Sequence, residues 1–229
     1  MIHERTIQQF GNEEYSRIID HTVCIVGVGG VGGYAVEALA RFGIKKLIIV
    51  DDDTVEASNI NRQLCALHST VGLKKVDVFK NRILDINPEI EVVALYERFN
   101  AESTLLTDYD IDFVIDAIDS LKEKTSLISQ CLDLNIKIVS VMGTGNKVEP
   151  ESFKILPLHK TSMDPIARIL RKQLKMHSKY KTIQTVCSIE TPEQFEKSKQ
   201  VPASNSFVPA SAGLLAASYI IRVLTNQLD

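Results

Sequence analysis

The strongest constraint in this sequence is a cluster of glycines caught between a strand and a helix. Thr22–Val26 is a short apolar run rich in β-branched residues, and helical spacing runs from Tyr34 to Phe42, ending at Gly43. Between them lies Gly27-Val28-Gly29-Gly30-Val31-Gly32-Gly33, which satisfies G-x-G-x-x-G through Gly27, Gly29 and Gly32. Glycines at this junction let the backbone approach a phosphate, while the start of the helix offers N–H groups and the positive end of its dipole. Asp51 ends the next apolar run, Lys46–Val50, where a carboxylate can accept hydrogen bonds from ribose hydroxyls. The pattern points to a bound nucleotide, and taken alone it leaves NAD and ATP both open.

Further along, apolar runs alternate with helical patterns. Asn59–His68 reads as a short helix and Leu73–Ile86 as a longer one stopped near Asn87-Pro88. Glu91–Leu95, Asp112–Ile115 and Ile136–Val141 read as strands, with a helix over Leu121–Leu134. Apolar strands separated by helices need a parallel sheet covered on both faces. With right-handed crossovers the expected fold is α/β, a doubly wound (Rossmann-like), mostly parallel sheet with a smaller, less regular C-terminal extension. One adenylation-type domain over 1–229 is expected, divided into a nucleotide-binding core (1–146), a loop-rich region with a basic helix (147–208) and a C-terminal helix (209–229). Within the middle region Pro165–His177 has helical spacing, and Lys179 to Ser206 reads as loop.

The residues that follow Asp51 separate the two nucleotides. Asp51-Asp52-Asp53 leads into Asn59-Ile60-Asn61-Arg62-Gln63; Lys75 opens the next helix, and Asp119 lies just past the strand that ends at Ile115. A hydride-transfer enzyme has no need of an arginine, a lysine and a second carboxylate around its phosphates. A nucleotidyl-transfer enzyme does, because cations offset charge growing on the α-phosphate and leaving pyrophosphate, and a carboxylate holds Mg²⁺. Each residue alone reads as a solvated surface charge. Their joint placement behind strand ends carries the argument.

The blocks GVGGVGG (27–33), DDDTVEASNINRQ (51–63), GLKKVD (72–77), INPEIEV (86–92) and VIDAIDS (114–120) together resemble the ubiquitin-activating-enzyme superfamily of ThiF/MoeB/HesA type. The resemblance implies an ATP site in which Gly27, Gly29, Gly30 and Gly32 form the phosphate loop. It places Asp51 on the ribose with Asp53 beside it, Asn59 close to the nucleotide, and Arg62 and Lys75 on the phosphates. Asp119 matches the magnesium-linked catalytic aspartate of that family. It also implies a homodimer in which an N-terminal arginine, here Arg5, reaches into the partner's site.

Departures from the pattern sort the branch. Sulfur-carrier activators usually carry two CxxC pairs for zinc, whereas Cys24, Cys65, Cys131 and Cys187 form none, so zinc is not expected. Thr161-Ser162-Met163-Asp164-Pro165 followed by a basic helix, together with Ser188–Pro192 and SFVPASAG (206–213), is similar to the tRNA threonylcarbamoyladenosine dehydratase branch. Arg168, Arg171, Lys172 and Lys175, with Lys179 and Lys181 beyond them, make a local cationic patch in a chain of net charge −3. Such a patch holds phosphate backbones through counterion release, so tRNA is the expected partner.

The implied activity is ATP-dependent dehydration of threonylcarbamoyladenosine through an acyl-adenylate. Adenylation of the C-terminal glycine of a ubiquitin-like sulfur carrier stands as the alternative, and room remains for a sulfur-transfer partner protein. More distantly, an NAD-dependent oxidoreductase or a nucleotide-sensing module fits the glycine turn. Cysteines without disulfide spacing and a polar N-terminus lacking a signal core point to the cytoplasm. Ala210–Val223, broken by Ser211, Gly213, Ser218 and Arg222, falls short of the roughly 20 apolar residues a span needs and reads as a packing helix.

Overall fold

The computed structural model describes residues 2–191 and 202–225. In chain order the helices and strands are α1 (Glu4–Phe10), α2 (Asn12–Ile19), β1 (Thr22–Val26), α3 (Gly32–Phe42), β2 (Lys46–Val50), α4 (Lys75–Ile86) and β3 (Glu91–Leu95). They continue as α5 (Leu105–Asp108), β4 (Phe113–Asp116), α6 (Leu121–Leu134), β5 (Lys137–Val141), β6 (Phe153–Pro157), α7 (Pro165–Leu174), β7 (Gln184–Ser188) and α8 (Phe207–Leu224). The strands form one sheet in the order β3-β2-β1-β4-β5-β7-β6, parallel throughout except that β6 runs against β7. This is the expected α/β doubly wound fold.

Alternation along the strands builds two cores. Val23 and Ile25 of β1, Leu47 and Ile49 of β2, and Ile115 of β4 face α3, α4 and α8. Cys24, Val26, Ile48, Val50 and Val114 face α5, α6 and α7. The strands β2, β1, β4 and β5 are therefore sealed on both sides, as a parallel sheet requires. Helix α8 is long and apolar enough to cross a membrane, yet half of it is buried, with Ala212, Ala216 and Ile220 in the first core. The last residues of the expected 209–229 helix, 226–229, lie outside the described residues.

Two elements differ from the sequence expectation. Asn59–His68 is not an α-helix: a single 3₁₀ turn covers Ala57–Asn59 and irregular turns follow. Side chains have taken over the backbone partners there. Asn59 Oδ1 accepts from the Glu56 N–H at 3.1 Å, and the Thr70 hydroxyl donates to the Cys65 carbonyl at 2.6 Å. The stretch 179–206, read as loop, carries β7, which sits inside the sheet between β5 and β6. Its polar residues hid it: Thr185 and Ser188 are fully buried, and the Thr185 hydroxyl donates to the Leu156 carbonyl at 2.7 Å. The remainder of that expected loop, 192–201, lies outside the described residues. Helix α7 also stops at Leu174, short of His177.

Beneath the C-terminal ends of the central strands lies a buried polar knot. Lys124 of α6 places its ammonium 2.9 Å from Asp116 Oδ2 at the end of β4, and their side chains are 1 % and 0 % exposed. The ammonium also donates to the Val141 carbonyl at 2.9 Å, while the Ser140 hydroxyl donates to the same Asp116 oxygen at 2.5 Å. With one partner removed, the other is a buried charge without compensation. Lys124→Met should lower unfolding free energy by about 3–5 kcal/mol in urea titrations, and adding Asp116→Asn should recover much of that loss. A single variant as stable as wild type would contradict this account.

Candidate active site

The strand order reverses between β1 and β4, and a cleft of about 430 Å³ opens there at the C-terminal ends of the strands. The turn after β1 forms its floor. Gly27 has φ +87°, and a Cβ there would come within 2.7 Å of the Ala117 carbonyl oxygen. At Gly32 a Cβ would overlap the carbonyl oxygen of Gly27 itself. Only glycine lets α3 begin this close to β1. Gly27, Gly29 and Gly30 line the cleft, whereas Gly32 closes the turn beneath it. The backbone N–H groups of Gly29, Gly30 and Val31 have no acceptor among the described residues, so the turn presents a set of donors suited to an anion.

Asp51 and Lys75 occupy the β2 side. Asp51 Oδ2 accepts from the Val28 N–H at 2.7 Å and Oδ1 from the Asp53 N–H at 2.9 Å. Burial pushes the Asp51 carboxyl above its ordinary value, against the pull of Lys75 and those two backbone donors. The Lys75 ammonium, on a side chain 5 % exposed, lies 2.6 Å from Asp53 Oδ2 and 3.9 Å from Asp51 Oδ1. Asp51, Asp52 and Asp53 bring carboxylate oxygens within 4.8 Å of one another. Asn59 is buried by its turn and also lines the cleft.

Arg62 has no carboxylate partner among the described residues; one of its terminal nitrogens donates to the Ser58 carbonyl and to Asn61 Oδ1, each at 2.9 Å. Across the switch point Asp119 is exposed into the cleft, with no hydrogen bond or ion pair among the described residues. Its carboxylate is thus available for a hard cation, while Asp51 and Asp53 are already engaged. Arg5, on α1, is exposed and does not line the cleft of its own chain.

Sequence reasoning missed several lining residues: Gln63, Glu97, Arg98, Glu123, Thr144 and Ser204. Arg98, beyond the end of β3, pairs at 3.4 Å with Glu123 in the first turn of α6, and no local motif announces either. Thr144 belongs to the segment Gly143-Thr144-Gly145-Asn146, whose glycines mark a turn and carry no sign that it joins the cleft wall. That turn is braced by a second buried pair, Lys147 with Asp164 at 3.2 Å, in which Asp164 also caps α7 through the Ala167 N–H.

The cationic helix begins near the same end of the sheet. Arg168, Lys172 and Lys175 are exposed along it. Arg171 is half-buried, its guanidinium clasping the carbonyl and hydroxyl oxygens of Thr161, so it braces the N-terminal approach of α7. Lys179 is likewise engaged, donating to the Leu132 carbonyl at 2.6 Å. The four cysteines are free thiols, all buried. Burial pushes the Cys65 thiol up to about 11 and Cys187 up to about 12, and raises Cys24 and Cys131 further still.

The chain is similar to known proteins over nearly its whole length. The tRNA threonylcarbamoyladenosine dehydratase of Bacillus subtilis (strain 168) is 40 % identical, over 100 % of this chain and 97 % of that protein. The crystal structure of the Escherichia coli tRNA N6-threonylcarbamoyladenosine dehydratase in complex with ATP superposes with a TM-score of 0.90 at 33 % identity, covering 97 % of this chain and 93 % of that one. A complex of the same enzyme with AMP matches equally, with a TM-score of 0.90. The model of the ThiF family matches residues 3–228, and the chain belongs to that family.

Proposed function

We propose that this protein uses ATP to adenylate the carboxylate of a threonylcarbamoyl group on a tRNA adenosine, and closes that side chain into a ring with net loss of water. The observation that carries the reading is one arrangement: an open set of backbone donors flanked by Arg62 and Lys75, with the carboxylate of Asp119, which has no partner among the described residues, across the switch point. The relatives whose names specify this substrate share the fold over nearly the whole chain.

In the proposed reaction a carboxylate oxygen attacks the α-phosphorus of ATP and pyrophosphate leaves. A nucleophile of the same threonylcarbamoyl side chain then attacks the acyl carbon, loses its proton, and AMP departs with the former carboxylate oxygen. Asp51, with Asp53 beside it, holds the ribose, and Asn59 packs against the nucleotide. The backbone donors with Arg62 and Lys75 stabilise charge on the phosphates. No enzyme nucleophile is needed, because intramolecular attack has a high effective concentration. Four buried thiols with raised pKa values suit that economy.

Charge balance asks for more cations than one chain places in the cleft. Its lining holds seven carboxylates (Asp51, Asp52, Asp53, Glu56, Glu97, Asp119 and Glu123) against Arg62, Lys75 and Arg98. A nucleoside triphosphate would meet net repulsion there. Mg²⁺ held by Asp119 would screen the phosphates when bound. Arg5 of a partner subunit in a homodimer would add one further positive charge. Arg168, Lys172 and Lys175 contact the tRNA backbone. A tRNA substrate and cysteines without disulfide spacing support a cytoplasmic setting for this reaction.

Incubation of threonylcarbamoyladenosine-bearing tRNA with the protein, ATP and Mg²⁺ should give a nucleoside lighter by one water in mass spectra of the digest, only when ATP is present. Arg62→Ala, Lys75→Ala and Asp119→Ala should each lower kcat/KM by about 10²–10³. ATP binding without any change in the nucleoside would exclude this substrate and favour a ubiquitin-like carrier protein. Cys187→Ser should retain wild-type turnover, and the native protein should resist iodoacetamide at neutral pH. Labelling of Cys187 with loss of activity would require a thiol intermediate instead.

A further inference from the structure

The segment 202–205, which leads into α8, crosses the cleft wall without secondary structure of its own. Asparagine side chains hold it. Asn146, at φ +56°, donates its backbone N–H to the Ala203 carbonyl at 2.9 Å and accepts the Ala203 N–H on its side-chain oxygen at 2.8 Å. The Asn205 amide donates to the Lys147 carbonyl at 2.9 Å, and its oxygen accepts the Val208 N–H at 2.9 Å. The third tether comes from the nucleotide side: the Asn61 amide donates to the Ser204 carbonyl at 3.1 Å.

Asn61 uses both ends of its amide. Its oxygen accepts from the Arg62 guanidinium at 2.9 Å while its nitrogen holds Ser204. A short chain of hydrogen bonds therefore runs from Arg62 to the strap at 202–205. The strap in turn packs on the loop bearing Thr144, so tightly that a Cβ on Gly145 would lie 2.6 Å from Pro202 Cβ. Thr144 and Ser204 both line the cleft. Thr144 follows β5, two strands beyond β1 and on the opposite side of the switch point from Asp51. With the ribose at Asp51 and the phosphates at the glycine turn, the carboxylate to be activated enters from the Thr144 and Ser204 side.

We infer that Asn61 is a positioning residue that couples the grip of Arg62 on the nucleotide phosphates to the 202–205 strap, and that this strap with Thr144 forms the wall against which the acyl carboxylate of the acceptor is placed. The inference rests on the adenylation reading above and extends it to the acceptor side. Immobilising Arg62 on a phosphate fixes the Asn61 oxygen, which fixes the amide nitrogen and with it Ser204. ATP binding then prepares the acceptor wall before the RNA arrives.

Calorimetry of ATP binding, paired with hydrogen exchange across 202–206, tests this on the intact protein. In wild type, ATP should slow exchange of that segment, since a rigid tether raises the cost of local opening. Asn61→Ala should abolish the ATP-dependent protection, and Asn61→Gln, which keeps both amide functions, should restore part of it. Gly145→Ala, which displaces Pro202 without touching Arg62, should leave the ATP Kd within about threefold of wild type yet raise KM for the modified tRNA about tenfold. ATP binding with unchanged exchange at 202–206, or protection that survives Asn61→Ala, overturns the coupling while leaving adenylation intact. Failure of wild type to bind ATP overturns both.

Discussion

No Cβ fits between the carbonyl of Gly27 and the first turn of α3, and from that steric limit most of the site follows. Because α3 starts directly over the end of β1, the turn between them carries the N–H groups of Gly29, Gly30 and Val31, without acceptors among the described residues, at the place where the strand order reverses. The same close approach aims the positive end of the helix dipole at that space. Once this anion-binding floor is placed, the neighbouring strands supply the remaining groups simply by ending there. Asp51 comes from β2, Asp119 from beyond β4 and Thr144 from beyond β5. The turns that carry them are held from below by buried polar groups. Asp116 accepts the Ile118 N–H at 3.1 Å while paired with Lys124, which fixes the bend that exposes Asp119.

Electrostatics at this floor divide into engaged and available groups, and the division assigns roles better than proximity does. Asp51 is buried and committed to backbone donors, and Asp53 is committed to Lys75. Both act as fixed acceptors. Arg62 and Asp119 lack charged partners among the described residues and face the cleft, which makes them the groups whose interactions change most when a charged nucleotide enters. Lys75 stands between: it is bonded to Asp53, yet its buried position keeps its charge poorly screened and effective on a nearby phosphate.

Much of the nucleotide half was legible because local signals there agree with the global fold. The apolar β-branched runs of β1 and β2, Gly43 in a left-handed conformation ending α3, and the spacing of Leu121–Leu134 matched their elements closely. Legibility failed where polar side chains satisfy backbone groups or each other in the interior. Thr185 and Ser188 disguised a central strand as loop, and Asn59 and Thr70 turned a helical-looking stretch into turns. Lys124 has the appearance of an ordinary helix-surface cation until Asp116 is seen beneath it. Arg171 looked like one more phosphate-binding charge, and only the position of Thr161 shows that one of its terminal nitrogens braces the chain before α7. The deciding partner is far off in sequence for Thr185 but local for Asn59 and Thr70, and in neither case does hydrophobic periodicity register a side chain that bonds to backbone.

The C-terminal part of the chain is for the same reason not an appendage. With β7 inserted between β5 and β6, the crossover from β5 to the sheet edge and back makes its loops converge on the end of the sheet that carries the glycine turn. Lys147, buried against Asp164 and the Gly143 carbonyl, then links the start of α7 to the loop bearing Thr144. A cationic helix surface and a cleft wall are thereby fixed to one rigid joint. An RNA held along Arg168, Lys172 and Lys175 would meet the cleft at the α7 end of that joint, on the side of the switch point opposite Asp51. On the proposed reading the two substrates would have separate approaches to a common centre, the nucleotide from the β2 side and the acceptor from the β5 side, with the glycine turn between them.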